Sequence, residues 1–246
     1  MTGRPAFLTS PLLEAARVPH LFTTRHFPRL ERAANGGSPF GPAAWTLLGA
    51  RGLLLEPPAF ARQVHGAEVV EARAGGSVGR GDALVSDRPG LPLAVFTADC
   101  LPIVLFDPAG GRLAVAHAGW RGTVQSVARA VADALARAGA PRESLLAAIG
   151  PSIGPCCYEV DLPVIQGLRS AFPGAWSGWV TPTGPGKWML DLWKANEDQL
   201  RSAGVDPSRI DNLRLCTACR LDLFFSYRRE GKGGSLATVA AVPASS

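Results

Sequence analysis

The chain has 246 residues, 47% hydrophobic and 18% charged, so it can bury a substantial core and has no long disordered tract. Its net charge of +5 comes almost entirely from dispersed arginines, which argues against a nucleic-acid-binding face. Five cysteines, an odd number, do not form a disulfide framework, and no segment has the pattern of a signal peptide or a membrane span. We therefore expect a soluble, cytoplasmic protein with reduced thiols.

The first third of the chain predicts few regular elements. A short strand is expected over residues 18–25, and residues 28–58, rich in Pro, Gly and Ala, are expected to form an irregular loop region around short elements. A second strand is predicted over residues 62–70 and carries His65. The glycine-rich stretch over residues 74–82 matches no phosphate-binding fingerprint and is predicted to be a connecting loop.

The central stretch is the strongest structural signal. Three apolar, β-branched runs at residues 83–87, 93–107 and 113–118 predict adjacent buried strands. Asp99 and Cys100 interrupt the second of these runs. His117 ends the third run, so a thiol and an imidazole are expected at the ends of strands, where functional residues of β-sheets usually lie.

Apolar residues at helical spacing predict a helix over residues 123–138, directly after Gly119-Trp-Arg-Gly122. Its free N-terminal amides could hold an anion near His117, and Arg121 would then add a positive charge. The competing interpretation is that Arg121 is a solvated residue at the start of a helix.

The remaining elements alternate helices with strands. A strand is predicted over residues 145–149, followed by a stiff loop over residues 150–159. The later elements are helices over residues 162–172 and 192–203, then strands over 212–216, 223–228 and 236–242. This order predicts an α+β fold with mixed central β-sheets flanked by helices, as a single domain over residues 1–246.

The candidate catalytic residues are His65, Cys100 and His117, with Asp99 as a fourth. Two imidazoles and a thiolate are the donor set of a catalytic zinc site, which leaves one position for water and lowers its pKa to about 7. The same side chains could instead form a cysteine nucleophile with a histidine base. Their spacing does not separate the two arrangements.

A second cysteine motif lies near the C-terminus. Cys216-Thr-Ala-Cys219 has the C-x-x-C spacing, but no partner pair and no histidine follow it. Buried packing thiols are therefore favoured over half of a structural metal site.

Five segments together resemble the YfiH-type proteins, which have been labelled laccase-type multicopper polyphenol oxidases, peptidoglycan editing factors and purine nucleoside phosphorylases. The segments are Gln63-Val-His-Gly66, Thr97-Ala-Asp-Cys-Leu-Pro102, Ala116-His-Ala-Gly-Trp-Arg-Gly122, Gly150-Pro-Ser-Ile-Gly-Pro-Cys-Cys-Tyr-Glu-Val160 and Phe224-Phe-Ser-Tyr-Arg-Arg229. The resemblance implies a single α+β domain in which His65, Cys100 and His117 bind zinc or form a catalytic constellation.

The resemblance also implies an activity and its small-molecule partners. These are phosphorolysis of adenosine, inosine and methylthioadenosine with phosphate, and deamination of adenosine, by a monomer or a small homo-oligomer. Arg25 matches an arginine of the family that faces the pocket, and Arg121 and Arg228 are further candidates for substrate binding. Leu47 stands where the family carries an asparagine.

Other functions remain open from the sequence. A Cys-His amidase or esterase acting on peptidoglycan precursors uses the same residues, and a binding protein with a vestigial site is the third class. A copper-binding polyphenol oxidase is the family label, but four histidines are too few for a type 1 site plus a trinuclear cluster. Copper bound in vitro by His65, Cys100 and His117 would be unsurprising.

Overall fold

The computed structural model describes residues 4–30, 38–53 and 56–244. The strands are β1 Phe7–Leu8, β2 His20–Thr23, β3 Ala59–Arg62, β4 Val69–Glu71, β5 Gly76–Arg80, β6 Ala83–Ser86, β7 Pro92–Thr97, β8 Leu101–Asp107, β9 Arg112–Ala118, β10 Leu146–Ile149, β11 Glu159–Asp161, β12 Val180–Gly184, β13 Lys187–Leu190, β14 Ile210–Asn212 and β15 Leu236–Ala241. The helices are α1 Pro11–Ala15, α2 Pro42–Gly49, α3 Trp120–Val124, α4 Val127–Arg137, α5 Leu162–Ala171, α6 Leu192–Ser202 and α7 Tyr227–Glu230. In these residue ranges, no helix is both long and apolar enough to cross a bilayer.

The strands form two large mixed sheets and one small sheet. The first has the order β1-β2-β15-β7-β3-β5, and the second has the order β14-β10-β8-β9-β6-β4. The third is the antiparallel sheet β11-β13-β12. The predicted α+β class with mixed sheets is confirmed.

The two large sheets pack face to face, and helices cover their outer faces. Side chains of β8 alternate between the two sides: Val104 lies in the apolar cluster between the sheets, whereas Ile103 and Leu105 lie in the cluster with α4, α5 and α6. On the far side, Leu48 of α2 packs against the first sheet. Because both faces of β8 are buried, its sequence is a continuous apolar run.

The helix predicted over residues 123–138 is wrong in two respects. It begins three residues earlier, at Trp120, because Gly119 takes the extended N-cap conformation. It also divides into α3 and α4, because Ser126 adopts a left-handed backbone with φ of 62°. Arg121 therefore lies within α3, a helix of five residues, which is too short to provide the predicted anion site at its N-terminus.

Two predictions for the first third of the chain need correction. Residues 62–70 are not one strand, since β3 ends at Arg62, β4 begins at Val69 and His65 lies in the loop between them. The glycine-rich stretch contains β5, which pairs with β3 in parallel. The region 28–58 agrees with the prediction of short elements, since it contains the eight-residue helix α2, which has Pro42 in its first turn, where the missing N–H of proline is not needed. Residues 31–37 and 54–55 of that region lie outside the described residues.

The C-terminal predictions are mixed. β10, α5, α6 and β15 are confirmed close to their predicted bounds, whereas the strands predicted over 212–216 and 223–228 are wrong. β14 already ends at Asn212. The second segment instead turns into α7, because the Ser226 side chain caps that helix by accepting a hydrogen bond from the Arg229 N–H. The segment between α5 and α6, for which no strand was predicted, contains the hairpin of β12 and β13.

The prediction of buried thiols in the C-x-x-C segment is confirmed for Cys216 but wrong for Cys219. Cys216 is buried, but Cys219 is exposed, and the partner pair is Cys156 and Cys157, upstream in the sequence. β10 and β14 are parallel neighbours, so the loops that follow them leave the same edge of the sheet and meet. The cysteine pair that meets Cys216 and Cys219 therefore lies upstream of them in the sequence and not downstream.

Candidate active site

Cys100 and His117 are brought together by the register of β8 and β9. Leu101 pairs with Ala118 and Pro102 pairs with His117, so the residue before β8 lies beside the end of β9. The link from β7 to β8 is also one of the points where the chain crosses from the first large sheet to the second. The prediction of a thiol and an imidazole at strand ends is confirmed.

His65 reaches the same place from the loop between β3 and β4. The Gln63 side chain anchors this loop to β7, donating to the Phe96 carbonyl and accepting from the Phe96 N–H, both at 2.7 Å. His65 itself has a left-handed backbone with φ of 61°, an uncommon conformation that requires support from its surroundings. Its N–H donates to the Asp82 carboxylate at 2.9 Å.

Asp82 organises the site, and the sequence analysis missed it. Its buried carboxylate accepts hydrogen bonds from the N–H groups of Val64, His65 and Gly66 and from His117 Nδ1 at 2.8 Å. Burial alone would raise the pKa of Asp82, but the bonds from His117, Gly66 and Val64 outweigh burial and lower it. The available signal was an acidic residue directly before the apolar run that starts at Ala83.

The thiol and the imidazole alter each other's ionisation. Burial raises the pKa of Cys100, but the hydrogen bonds and charges of His117 and His65 lower it to about 7. For His117 burial lowers the pKa, whereas Asp82 and Cys100 raise it to about 9. Close to neutral pH the Cys100 thiolate is therefore accessible in the metal-free protein.

The three side chains fit a metal ion. One ligand atom each from His65, Cys100 and His117 lie within 4.8 Å of one another. Asp82 occupies Nδ1 of His117, which leaves Nε2 as the nitrogen free to bind, as is usual when a carboxylate orients a metal-binding histidine. Gly119 has no side chain here because a Cβ would lie 2.9 Å from Cys100 Sγ and 3.3 Å from His65 Cδ2.

Both carboxylate oxygens of Asp99, which was predicted as a catalytic residue, accept hydrogen bonds. Its Oδ1 accepts from the Thr217 hydroxyl at 2.6 Å, and its Oδ2 accepts from the Ser226 hydroxyl at 3.0 Å and the Arg228 N–H at 2.7 Å. Asp99 also has a positive φ of 82°, in the turn between β7 and β8. These contacts connect the turn that carries Cys100 to the chain around residues 217–228.

A cavity of about 250 Å³ opens on this cluster. Tyr158, Tyr227, Arg121 and Arg228 line it together with His65 and Cys100 of the cluster. Arg121 is exposed and its guanidinium lies over the Trp120 ring at 4.4 Å, and no carboxylate among the described residues pairs with it. Arg228 lies over the Tyr158 ring at 5.3 Å and donates to the Glu159 carbonyl at 2.9 Å.

Arg25, the third predicted arginine, lines a different and larger cavity of about 890 Å³. Its guanidinium is paired with Glu230 at 2.7 Å and lies over the Phe225 ring at 4.8 Å. Ala98 and Tyr227 line both cavities, so the two are neighbours. Leu47 lies on α2 and packs against the apolar cluster on the outer face of the first sheet.

Residues 46–243 match the family model described as multi-copper polyphenol oxidoreductase laccase. The chain belongs to this family. It is 28% identical to YfiH of Bacillus licheniformis, whose crystal structure superposes with a TM-score of 0.84 over 98% of both chains. The predicted membership of the YfiH-type family is therefore confirmed.

Two curated relatives of this laccase-like family have different names. A purine nucleoside phosphorylase of Deinococcus radiodurans is 36% identical over 246 residues, which cover 95% of this chain and 93% of the relative. Adenosine deaminase RL5, from an unknown prokaryotic organism, is 42% identical over 150 residues, which cover 61% of this chain and 57% of the relative.

The ligands of this chain do not suit the multi-copper description. Of its four histidines, only His65 and His117 lie in the cluster. His20 is buried, accepts a hydrogen bond from the Ser10 N–H and contacts the Val18 carbonyl through Nδ1. His26 contacts the Asp222 carbonyl. Two imidazoles and one thiolate can hold one metal ion, whereas a multi-copper centre needs many more imidazole ligands.

Proposed function

We propose that this chain is a zinc-dependent purine nucleoside enzyme that phosphorolyses adenosine, inosine and methylthioadenosine and also deaminates adenosine. The observation that carries the proposal is the His65, Cys100 and His117 cluster, which opens onto a cavity lined by Arg121 and Arg228. The names of its relatives, purine nucleoside phosphorylase and adenosine deaminase, support an enzyme of this type. Its free cysteines are consistent with a cytoplasmic location.

His65, Cys100 and His117 are the residues that would hold zinc, with three protein ligands as in catalytic zinc sites. Zinc bound there supplies Lewis acidity at the cavity wall. Asp82 fixes the orientation of His117 and, through the Val64, His65 and Gly66 N–H groups, the position of the His65 loop. The positions of His65 and His117 therefore depend on the Asp82 carboxylate. The position of Cys100 beside His117 depends on the register of β8 and β9.

Phosphorolysis forms a bond between a phosphate oxygen and C1′ of the ribose and breaks the bond from C1′ to N9 of the purine. The electron pair of the broken bond leaves with the base, which then takes up a proton. Arg121 and Arg228 are the cationic side chains that line the cavity and would bind the phosphate. Arg25 is less suited, because Glu230 already pairs with it in the neighbouring cavity.

Tyr158 is a hydrogen-bond donor in the same cavity. Burial raises the pKa of Tyr158, and the nearby Cys100 charge raises it further, so the hydroxyl stays protonated at neutral pH. A protonated phenol can donate to the phosphate or to the leaving base. We assign Tyr158 this donor role.

The size of the site supports a substrate that spans both cavities. Sites for small ligands usually enclose about 300–1,000 Å³, more than the roughly 250 Å³ beside the cluster. The larger cavity adds about 890 Å³ and is lined by aromatic residues that include Phe60, Phe96 and Phe225. A nucleoside bound near the cluster would therefore extend past Ala98 and Tyr227 toward these rings.

The experiment that tests this function is incubation of the zinc-loaded protein with adenosine, inosine and methylthioadenosine, each with and without phosphate, followed by chromatography. We expect adenine or hypoxanthine to be released only with phosphate, and inosine to form from adenosine in either case. A zinc-loaded protein that leaves all three nucleosides unchanged would overturn the proposal.

A Cys-His amidase or esterase is the second candidate, and one observation favours it. Cys100, His117 and Asp82 form a thiol, imidazole and carboxylate series in which Nδ1 of His117 lies 2.8 Å from the carboxylate. Chelation separates the two candidates. A thiol hydrolase would keep its activity without metal and lose it on alkylation of Cys100, whereas the zinc enzyme would lose activity on chelation.

A further inference from the structure

Four of the five cysteines converge at a second place, outside the cavity. Cys156 and Cys157 lie in the loop after β10, and Cys216 and Cys219 lie in the turn after β14. Cys219 Sγ lies 3.5 Å from Cys156 Sγ and 3.4 Å from Cys157 Sγ. All four sulfur atoms lie within 4.8 Å of one another. Residues about 60 positions apart in the chain thus form one compact group of thiols.

The spacing of these sulfurs matches a tetrahedral metal site. Four thiolates around zinc lie about 2.3 Å from the ion, which puts them about 3.8 Å from each other. The observed separations of 3.4 Å, 3.5 Å and up to 4.8 Å bracket that value. Each cysteine offers one sulfur, so the four would complete the coordination of a single ion.

The surroundings provide hydrogen bonds that stabilise thiolates. The Gly154 N–H donates to Cys216 Sγ at 3.3 Å, and the Arg229 guanidinium donates to Cys157 Sγ at 3.7 Å.

We propose that Cys156, Cys157, Cys216 and Cys219 bind one structural zinc ion, separate from the active site and independent of the proposed function. Four protein ligands leave no position for water or substrate, as in structural rather than catalytic zinc sites. The ion would join the loop after β10 to the turn after β14, two segments that lack strand pairing with each other apart from the Ser152–Cys216 bridge, among the described residues.

This second site would support the cavity wall. The loop after β10 carries Ile153, whose N–H donates to the Asp99 carbonyl at 2.9 Å, and Tyr158, which lines the cavity. The turn after β14 carries Thr217, whose hydroxyl donates to the Asp99 carboxylate at 2.6 Å. Both segments therefore contact the turn that presents Cys100. A metal that fixes them together would hold Asp99 and Tyr158 in position.

The test is the zinc content and zinc X-ray absorption spectrum of protein purified under reducing conditions without chelators. We expect about two zinc ions per wild-type chain and about one in Cys100→Ala, whose remaining ion has four sulfur neighbours at about 2.3 Å. Cys219→Ala is the matched variant. It should keep the zinc ion at His65, Cys100 and His117, with a mixed nitrogen and sulfur environment.

The Cys100→Ala protein decides the result even if Cys219→Ala does not fold. A Cys100→Ala protein without zinc, or with zinc that lacks four sulfur neighbours, would overturn the proposal. So would peptide mass spectrometry that finds a disulfide among these four cysteines in the freshly purified wild type. Nucleoside turnover is not a readout here, and the zinc content of Cys100→Ala does not depend on metal at the first cluster, so failure of the proposed function would leave the Cys100→Ala result unchanged.

Discussion

The two thiol-containing clusters of this chain are built in different ways. His65, Cys100 and His117 meet where β8 and β9 end, are backed by the Asp82 carboxylate and face a cavity. The four-cysteine cluster is formed by two loops that follow parallel strands, and it offers four protein ligands. Three ligands with an open side suit catalysis, whereas four ligands suit a structural role. The catalytic and the structural role are therefore distinguished by the number of protein ligands and by the Asp82 carboxylate that supports only the first cluster.

Removing the carboxylate behind the first cluster should have the largest effect. Asp82→Ala leaves His117 unoriented and three backbone N–H groups unpaired, so we expect zinc affinity at this site to fall by about 10–100-fold. Metal titration in competition with a chromogenic chelator measures this change. Asp107→Asn is the matched control, since Asp107 is a buried carboxylate at the other end of β8 that pairs with Arg112. An equal loss of affinity in the control would contradict the assignment.

Crowding the first cluster should have the next largest effect. Gly119→Ala places a methyl group 2.9 Å from Cys100 Sγ, and overpacking of this kind typically costs about 1–3 kcal/mol. We expect about tenfold weaker zinc binding at this site and no change at the four-cysteine cluster. Gly174→Ala is the control, because a Cβ at Gly174 has no neighbour within 4 Å. Unchanged zinc affinity in Gly119→Ala would show that this contact does not constrain the ligands.

Replacing the arginines of the cavity should weaken the binding of phosphate rather than the binding of the metal ion. Arg121→Ala and Arg228→Ala each remove a cation that we assign to phosphate, so KM for phosphate should rise about tenfold, since a hydrogen bond to a charged group contributes about 1.5–3 kcal/mol. Arg25→Ala should have a smaller effect, because Glu230 pairs with that side chain. Steady-state kinetics with varied phosphate measure the difference. A larger effect of Arg25→Ala would contradict this assignment and favour Arg25 as the phosphate ligand.

The smallest effect concerns His20, a buried histidine that pairs with no carboxylate in the part of the chain that the structure describes. Burial lowers the pKa of His20 below its ordinary value of 6.5, whereas Asp82 and Cys100 raise that of His117. The unfolded chain therefore binds a proton at His20 more readily than the folded chain does. Stability present above pH 6.5 is then lost as the pH falls through the lowered folded-state pKa.

The contribution of His20 can be isolated with His20→Gln. Urea unfolding at pH 7 and pH 5 should show a smaller loss of unfolding free energy in the variant than in the wild type, because glutamine does not titrate. Equal losses in the two proteins would mean that His20 does not contribute to the pH dependence.

The sequence predicted the parts of the molecule that depend on local pattern. The buried runs that became β7, β8 and β9 were found because both of their faces are apolar, and Cys100 and His117 stood out as polar residues at their ends. The break at Ser126 was missed because it depends on one backbone angle, and the apolar spacing continues across it.

Contacts between distant segments could not be predicted from pattern. Asp82 acts through four hydrogen bonds whose donors lie between 16 and 35 residues away in the sequence. The cysteine pairs are about 60 residues apart and meet only because β10 and β14 are parallel neighbours. Arg25 was assigned to the pocket by family resemblance, but its partner Glu230 lies 205 residues away. Each of these features is set by the sheet topology.

The most direct test of the central claim compares adenine release from adenosine by zinc-loaded wild type and Cys100→Ala in the presence and absence of phosphate. The wild type should release adenine only with phosphate, and Cys100→Ala should release none, because a three-ligand zinc site cannot lose one ligand and remain intact. Adenine release by Cys100→Ala at the wild-type rate, or a wild-type rate that does not depend on phosphate, would contradict the assignment of this cluster as the phosphorolytic site.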